Sequence, residues 1–360
     1  MPTPASHPPV HVLVGSYTPD TGGEGTGLSA LRLDPSTGGL AYDTGVPPLP
    51  VSGASFLAAH PTLDVVYSTN ETDSGTVSAV ARRHDGVLTT LGAPADSGGA
   101  NPCHLTVHPD GNWLLTANYG SDKVPGSVAV HRLDADGSLL EPTDFVVHEG
   151  SGPVTGRQEG SHAHQILVDP AGRFVLATDL GADAVFTYRL DPGTGTLERT
   201  AVSPLRAGSG PRHLAFAPDG ERVFSADELS STLTCHRYDA ATGTLTALAT
   251  VPATTARDVV NQPGGIVGSP CGRYVWLTNR GADTVAAFDV TGITPEPIGE
   301  TSSGGTWPRG LTYAAGHLLV ANQHSGTLAA LRVLDDGALQ PPDQPDQVVS
   351  ARSVVCALAL

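Results

Sequence analysis

The sequence predicts an all-β fold, a seven-bladed β-propeller of four-stranded antiparallel blades. Three observations predict it: an internal repeat of roughly 45 to 60 residues, a strand–turn–strand pattern inside each repeat, and chain ends that complement each other. The repeat is clearest in PCHLTVHPDGNWLLTANYG (102–120), HAHQILVDPAGRFVLATDLG (162–181), PRHLAFAPDGERVFSADEL (211–229) and PGGIVGSPCGRYVWLTNRG (263–281). Weaker copies are ASFLAAHPTLDVVYSTNE (54–71) and PRGLTYAAGHLLVANQ (308–323).

Each copy reads as two apolar runs joined by a tight turn such as Pro109-Asp110-Gly111 or Pro218-Asp219-Gly220. Asp-Gly between alternating apolar residues is a strong hairpin signal. A third strand follows, as at 127–131 and 284–288. A second turn of the form D-x-x-(T)-G-x-L, at 134–139, 191–197 and 239–245, then leads to a fourth. Six units are complete. The seventh is divided: residues 12–17 and 28–33, with a turn at 34–40, lack a first strand, and residues 353–358 can supply it. Closing the ring in this way removes open sheet edges. The expected organisation is a flexible tail over 1–10 and one propeller domain over 11–360.

Composition agrees. Of 360 residues, 43 are glycine and 30 proline, a mixture that suits many short strands and tight turns, and aromatics are only 5%. The net charge is −17 and Lys123 is the one lysine, so nucleic acid is not an expected partner. The first ten residues lack the basic and apolar regions of a signal peptide, and no run of 18 apolar residues suggests a membrane span. Cys103, Cys235, Cys271 and Cys356 are widely spaced, which fits reduced thiols in a cytoplasmic protein rather than disulfides or a zinc site. No metal and no cofactor is expected. A monomer or weak homo-oligomer acting on a small anionic substrate is.

The repeat also places a site. In a hairpin, residues equidistant from the turn face each other. Arg212 and Glu228, 16 residues apart, flank the turn at Asp219-Gly220 and should sit side by side. The same spacing pairs Ser55 with Glu71, Cys103 with Tyr119, His164 with Leu180 and Gly264 with Arg280, and a shorter turn pairs Arg309 with Gln323. Inner strands line a propeller's channel. A ring containing Glu71, His164, Arg212, Glu228, Arg280, Arg309 and Gln323 is therefore expected at one mouth. Arginines suit planar capture of carboxylate or phosphate, and a histidine and a glutamate beside them can move protons. The neighbouring Asn70, Asn118, Asp179, Asp227, Asn279 and Asn322 read as structural residues that tie turns. His104 and His213 are expected to point away from the mouth and pack. His162 and His164 alternate on a strand, but no third metal ligand is apparent. The Gly-rich connection 141–161 reads either as an ordinary exposed loop or as a lid whose Arg157 and Gln158 touch substrate.

The segments VGSYT, NPCH, SHAHQ, GPRHLAF, DEL and TNRG, in this order over roughly 10–358, resemble the bacterial 6-phosphogluconolactonase family of seven-bladed propellers. That lactonase family is itself related to the fungal carboxymuconate-lactonising enzymes. The resemblance implies metal-free hydrolysis of 6-phosphogluconolactone to 6-phosphogluconate in the pentose phosphate route. It also implies that His164, Arg212, Glu228 and Arg280 are catalytic; the other ring residues Arg309, Glu71 and Gln323, with Arg157 from the connection, are expected to bind substrate. Either His164 or Glu228 would be the base. One departure is Asp227, where the resemblance leads one to expect asparagine. The competing readings are a carboxymuconate-type cycloisomerase or lactonase, and a non-catalytic propeller that binds a ligand or a protein.

Overall fold

The computed structural model describes residues 8–360. Seven sheets are present among them, each of four strands along its main path, consecutive in the chain in all but the one that joins the two chain ends. Blades 1 to 6 open at Ala54–Ala59, Pro102–Val107, Ala163–Val168, Pro211–Phe216, Gln262–Gly268 and Pro308–Ala314. Blade 7 is built from both ends of the chain. Its inner strand is Val354–Ala359, which pairs antiparallel with Val10–Ser16, followed by Leu28–Leu33 and Leu40–Tyr42. The predicted closure is therefore present. The paired strand begins at Val10, the last residue of the expected tail; residues 1–7 of that tail lie outside the described residues.

The seven inner strands touch one another in a closed cycle, so they line the axis. The apolar residues lie between blades. Seven clusters occupy the seven junctions: Trp113, Ile166, Phe186 and Tyr188 join blades 2 and 3, for example, and Leu13, Val51, Val66 and Cys356 join blades 7 and 1. Each blade is thus buried on both faces, which is why its second strand reads as a nearly unbroken apolar run. The tight turns need glycine for a backbone reason: Gly111 and Gly220 have φ of 75° and 68°, a region that strains other residues.

One regularity was not visible in the sequence. Every inner strand carries a β-bulge at the same level, leaving one more residue on the inner strand than on its partner. The bulge falls at Ser55-Phe56, Cys103, His164, Arg212, Gly264-Gly265, Arg309 and Val355. Threonine hydroxyls take up the freed backbone N–H groups: Thr69 for Phe56, Thr178 for Gln165 and Thr278 for Gly265. A bulge re-aims side chains, and here it turns two consecutive residues of a blade toward the axis.

The bulge corrects one expectation, the register, although the side chains of Arg212 and Glu228 do lie close together. Arg212 is not the cross-strand partner of Glu228. Pro211 pairs with Asp227, His213 pairs with Ala226, and Arg212 is the extra residue between them. His104 and His213 are buried and packed, as expected, against Phe56 and against each other. Their rings stand 5.3 Å apart, and His213 stands 5.3 Å from His164, so blades 2, 3 and 4 contribute three imidazoles to one cluster at the axis. The connection expected over 141–161 is also shorter. Residues 141–147 belong to the outer strand Leu139–Val147 of blade 2, and the irregular segment is 148–162. No helix of the described residues is long and apolar enough to cross a membrane.

Candidate active site

Just past its second strand, six of the seven blades repeat a single backbone hydrogen bond. The N–H of Tyr17, Glu71, Tyr119, Leu180, Glu228 and Gln323 donates to the carbonyl of a residue preceding the inner strand. This fixes those six positions, and Arg280 of blade 5, at one mouth of the channel. Tyr17 is the member that the ring argument missed. Its signal was present, since it follows the strand of VGSYT just as Glu71 follows that of blade 1, but the divided blade hid the equivalence.

Glu228 is the centre of one half of the ring. It is 3% exposed. The Arg280 guanidinium donates to its Oε2 at 2.5 Å and also to the backbone carbonyls of Gln262 and Pro263. Arg157, from the irregular segment, donates to its Oε1. Arg212 Nε stands 3.4 Å away without forming a hydrogen bond. Burial disfavours the Glu228 charge, but Arg280 and Arg212 outweigh that and hold its carboxyl well below the usual carboxylate range. In the other half, Arg309 faces Glu71 at 3.6 Å and lies over the Tyr17 ring, 5.6 Å from its centroid. Glu71 Oε2 and Gln323 Oε1 are buried without partners. Four guanidiniums therefore share two carboxylates, and the mouth is cationic in a protein of net charge −17.

His164 sits between the halves. It is 5% exposed, edge-on to Tyr119 and His213. Burial and then Arg212 push its pKa well below 6.5, so it is a neutral imidazole at neutral pH. His162 is oriented differently. Its ring stacks on Tyr119 at 4.3 Å, with Nδ1 3.0 Å from the Tyr119 carbonyl. The two histidines of HAH thus do not form a pair on one face, because the bulge at His164 interrupts the alternation.

The segment 148–162 lies over the mouth and is tied down. Gln158 is fully buried. Its Nε2 donates to the Leu180 carbonyl at 2.8 Å, and its Oε1 accepts from Val154 N at 3.1 Å. Gln158 holds the segment in place and, contrary to expectation, faces no open space. Arg157, 31% exposed at its side chain, is the residue presented to the ring. At the rim, Trp307 adopts a left-handed backbone with φ of 60°, stacked on His324 and 5.8 Å from Arg280. Bulky residues rarely adopt that conformation.

The Asn and Asp residues that end the second strands tie turns, as expected. Asn279 and Asn322 donate to the carbonyls of Ala253 and Ser303. Asp179 accepts from His148 and from two backbone N–H groups. Asp227 has only hydroxyl donors, from Ser225, Thr232 and Thr234. Burial raises its pKa to about 6. A raised carboxyl pKa supplies stability below the unfolded value near about 3.9 and forfeits it as pH rises through the folded value. Asp227→Asn should therefore stabilise the fold at pH 7 by up to about 3 kcal/mol and have little effect at pH 4. Thermal melts of both proteins from pH 4 to 8 measure this, and an equal gain at both ends would refute it.

The order of blades, the closure through both termini and the arginine-rich mouth invite comparison with known propellers. The family model described as Lactonase, 7-bladed beta-propeller matches residues 11–356. The chain belongs to this lactonase family. A 6-phosphogluconolactonase of Bacillus subtilis (strain 168) is 30% identical to this lactonase-family chain over 322 residues, 88% of each. A 6-phosphogluconolactonase of Formosa agariphila is 27% identical over 343 residues, 91% of this chain and 94% of the relative. Among solved structures, the periplasmic gluconolactonase of Pseudomonas aeruginosa superposes with a TM-score of 0.89 at 28% identity, covering 98% of this chain and 99% of that one. Within the lactonase propeller, the four residues His164, Arg212, Glu228 and Arg280 converge on the axis from blades 3, 4 and 5.

Proposed function

We propose that this mouth is the active site of a lactonase that hydrolyses a sugar lactone, 6-phosphogluconolactone, to 6-phosphogluconate. The observation that carries the reading is the pairing of a neutral buried imidazole with guanidiniums that outnumber their carboxylates. An anionic lactone would complete the charge balance, and the imidazole would accept a proton.

In this reading the arginines hold the anionic and carbonyl oxygens, and His164 takes a proton from water as the water oxygen bonds to the lactone carbonyl carbon. The negative charge that develops on the carbonyl oxygen is stabilised by Arg212 and Arg280, fixed donors in a water-poor site. Collapse of the adduct breaks the ring C–O bond, and the proton on His164 passes to the departing ring oxygen. Arg212 lowers the basicity of His164, but Glu228 favours the imidazolium once it forms. Glu228 itself, tied to two arginines, is a poor base. It serves as the counter-charge that keeps the site together. Glu71, Gln323, Arg309 and Arg157 bind the remainder of the substrate.

The reading places the protein in the cytoplasm, as a monomer or weak homo-oligomer. Cys103, Cys235 and Cys356 are buried free thiols and Cys271 is an exposed one, which suits a reducing compartment.

The test is metal-free purified protein against freshly generated 6-phosphogluconolactone and against gluconolactone, with Arg212→Ala beside the wild type. Turnover well above spontaneous hydrolysis, reduced about 10²-fold or more in the variant, is the expected result. No acceleration of either lactone by folded wild-type protein would discard the reading in favour of unsaturated di- and tricarboxylates or of a binding role.

A further inference from the structure

The channel beneath the ring widens into a cavity of about 110 Å³. Two arginines, Arg212 and Arg309, are among its lining residues, and no acidic residue is. Charge compensation elsewhere makes this unusual. Arg157 and Arg280 both donate to Glu228. Arg309 stands 3.6 Å from Glu71, too far for a good hydrogen bond, and Arg212 Nε has no partner although the residue is 3% exposed. Burial, with Arg280 and Arg309 nearby, pushes the Arg212 pKa down to about 9. An arginine keeps its proton at physiological pH, and Glu228, 3.4 Å from Nε and already bonded by Arg157 and Arg280, offsets only part of the cost of that buried charge.

The rest of the wall supplies no further anion. Gln165 is committed to Leu214, Ser55 to Thr69 and Thr312 to the Ala357 carbonyl. His213 is kept neutral by burial and by Arg212. Beside the arginines, blades 5 and 6 carry Gly265 and Gly310 at the level where blades 2 and 4 carry His104 and His213. A Cβ at either glycine would meet backbone of Leu311 or Val355 within 2.8 Å. The two glycines let these inner strands pack closely, and no side chain from either fills the cavity that Arg212 and Arg309 line. That cavity has room for about three to four water-sized groups, the bulk of a tetrahedral oxyanion.

We infer that this cavity is an oxyanion subsite and that, on the lactonase reading above, it seats the phosphate of the substrate. The phosphate enters first, between Arg212 and Arg309, and the lactone ring remains at the level of His164 and Glu228. Arg212 then serves both ends, and Arg309 serves the phosphate alone. The phosphorylated lactone is preferred over the unphosphorylated one because only the former satisfies both guanidiniums.

The experiment uses the full chain and two variants: Arg309→Gln, which removes a charge, and Val355→Met, which adds bulk at a cavity-lining residue without changing charge. Inorganic phosphate is titrated by calorimetry into each, and kcat/KM is measured for 6-phosphogluconolactone and gluconolactone. Charge-assisted hydrogen bonds of this kind correspond to about 10- to 100-fold in affinity. Wild-type protein should bind phosphate, and each variant should lose at least about tenfold of that affinity and a similar factor in the ratio of the two kcat/KM values. Hydrolysis of both lactones with the same ratio in all three proteins would overturn the subsite and leave the lactonase reading standing. Phosphate binding that depends on Arg309, with neither lactone turned over, would support the subsite and remove the lactonase reading.

Discussion

His164→Ala should lower kcat on the lactone by about 10²- to 10⁴-fold while the propeller stays folded. The side chain touches Tyr119 and His213 by ring edges, and it terminates in the channel. Removing it leaves a small cavity and breaks no strong hydrogen bond or ion pair, so the loss should appear in turnover far more than in stability. The pH profile distinguishes a base from a packing residue. Because burial and Arg212 hold the His164 pKa well below 6.5, the neutral form predominates across the neutral range. Wild-type kcat/KM should be flat from pH 6 to 8 and fall only in more acid solution, where the imidazole protonates. A wild-type profile with its midpoint near pH 6.5, or a loss below tenfold in the variant, would take the base role from His164.

Glu228→Gln should be the most damaging single change at the site, because it removes the anion that two arginines contact directly and a third approaches to 3.4 Å. Breaking a buried ion pair from one side leaves uncompensated charge and costs about 3–5 kcal/mol. Turnover should fall as well, since the imidazolium of His164 loses its counter-charge. The pH dependence has a definite sign. A carboxylate held below its ordinary pKa contributes stability above the unfolded value and loses it as pH falls. Wild-type protein should therefore lose, from about pH 4.5 downward, a component of stability that the glutamine variant never has. Melts at pH 7 and pH 3 measure the difference. A variant that matches the wild type at pH 7 would show that solvent already screens the cluster. If Glu228→Gln does not fold, Glu228→Asp keeps the charge and shortens its reach, and it should recover the fold with reduced activity.

The Asp227 prediction is of a different kind, because it concerns a neighbour of the site whose function is structural. Four of the six equivalent positions are asparagine. Asp179 accepts hydrogen bonds from His148 and from two backbone N–H groups, and Asp227 accepts them only from hydroxyls. A residue that departs from the repeat without a compensating partner is a natural place for stability to be held below its optimum.

The blade repeat, the second strands and the turn glycines were legible because they depend on local rules: alternation, turn chemistry and period; the closure was legible because the period leaves the first unit one strand short and the last residues can supply it. The arginine content of the mouth was legible for the same reason, since equal spacing from a turn places residues at equal height. What failed was the register. The bulge at Arg212 and its six counterparts is a choice between two hydrogen-bonding patterns of nearly equal local cost, and packing of seven strands around one axis makes the choice. From it follow the clustering of His104 and His213 with His164 at the axis, the separation of His162 from His164, and the cavity walled by Arg212 and Arg309. Tyr17 was missed because the blade that holds it is assembled from sequence ends more than 300 residues apart. The segment 148–162 read as an exposed loop or a lid because glycine and polar residues dominate it, whereas the burial of Gln158 against Leu180 decides its position. The sequence by itself determined how many blades there are, where they begin and which charges gather at the mouth, because each of these is set by residues near one another in the chain. Only the tertiary structure decided which way those charges point and which of them lack a partner, because charge compensation among Arg157, Arg212, Arg280, Arg309, Glu71 and Glu228 is a balance between blades.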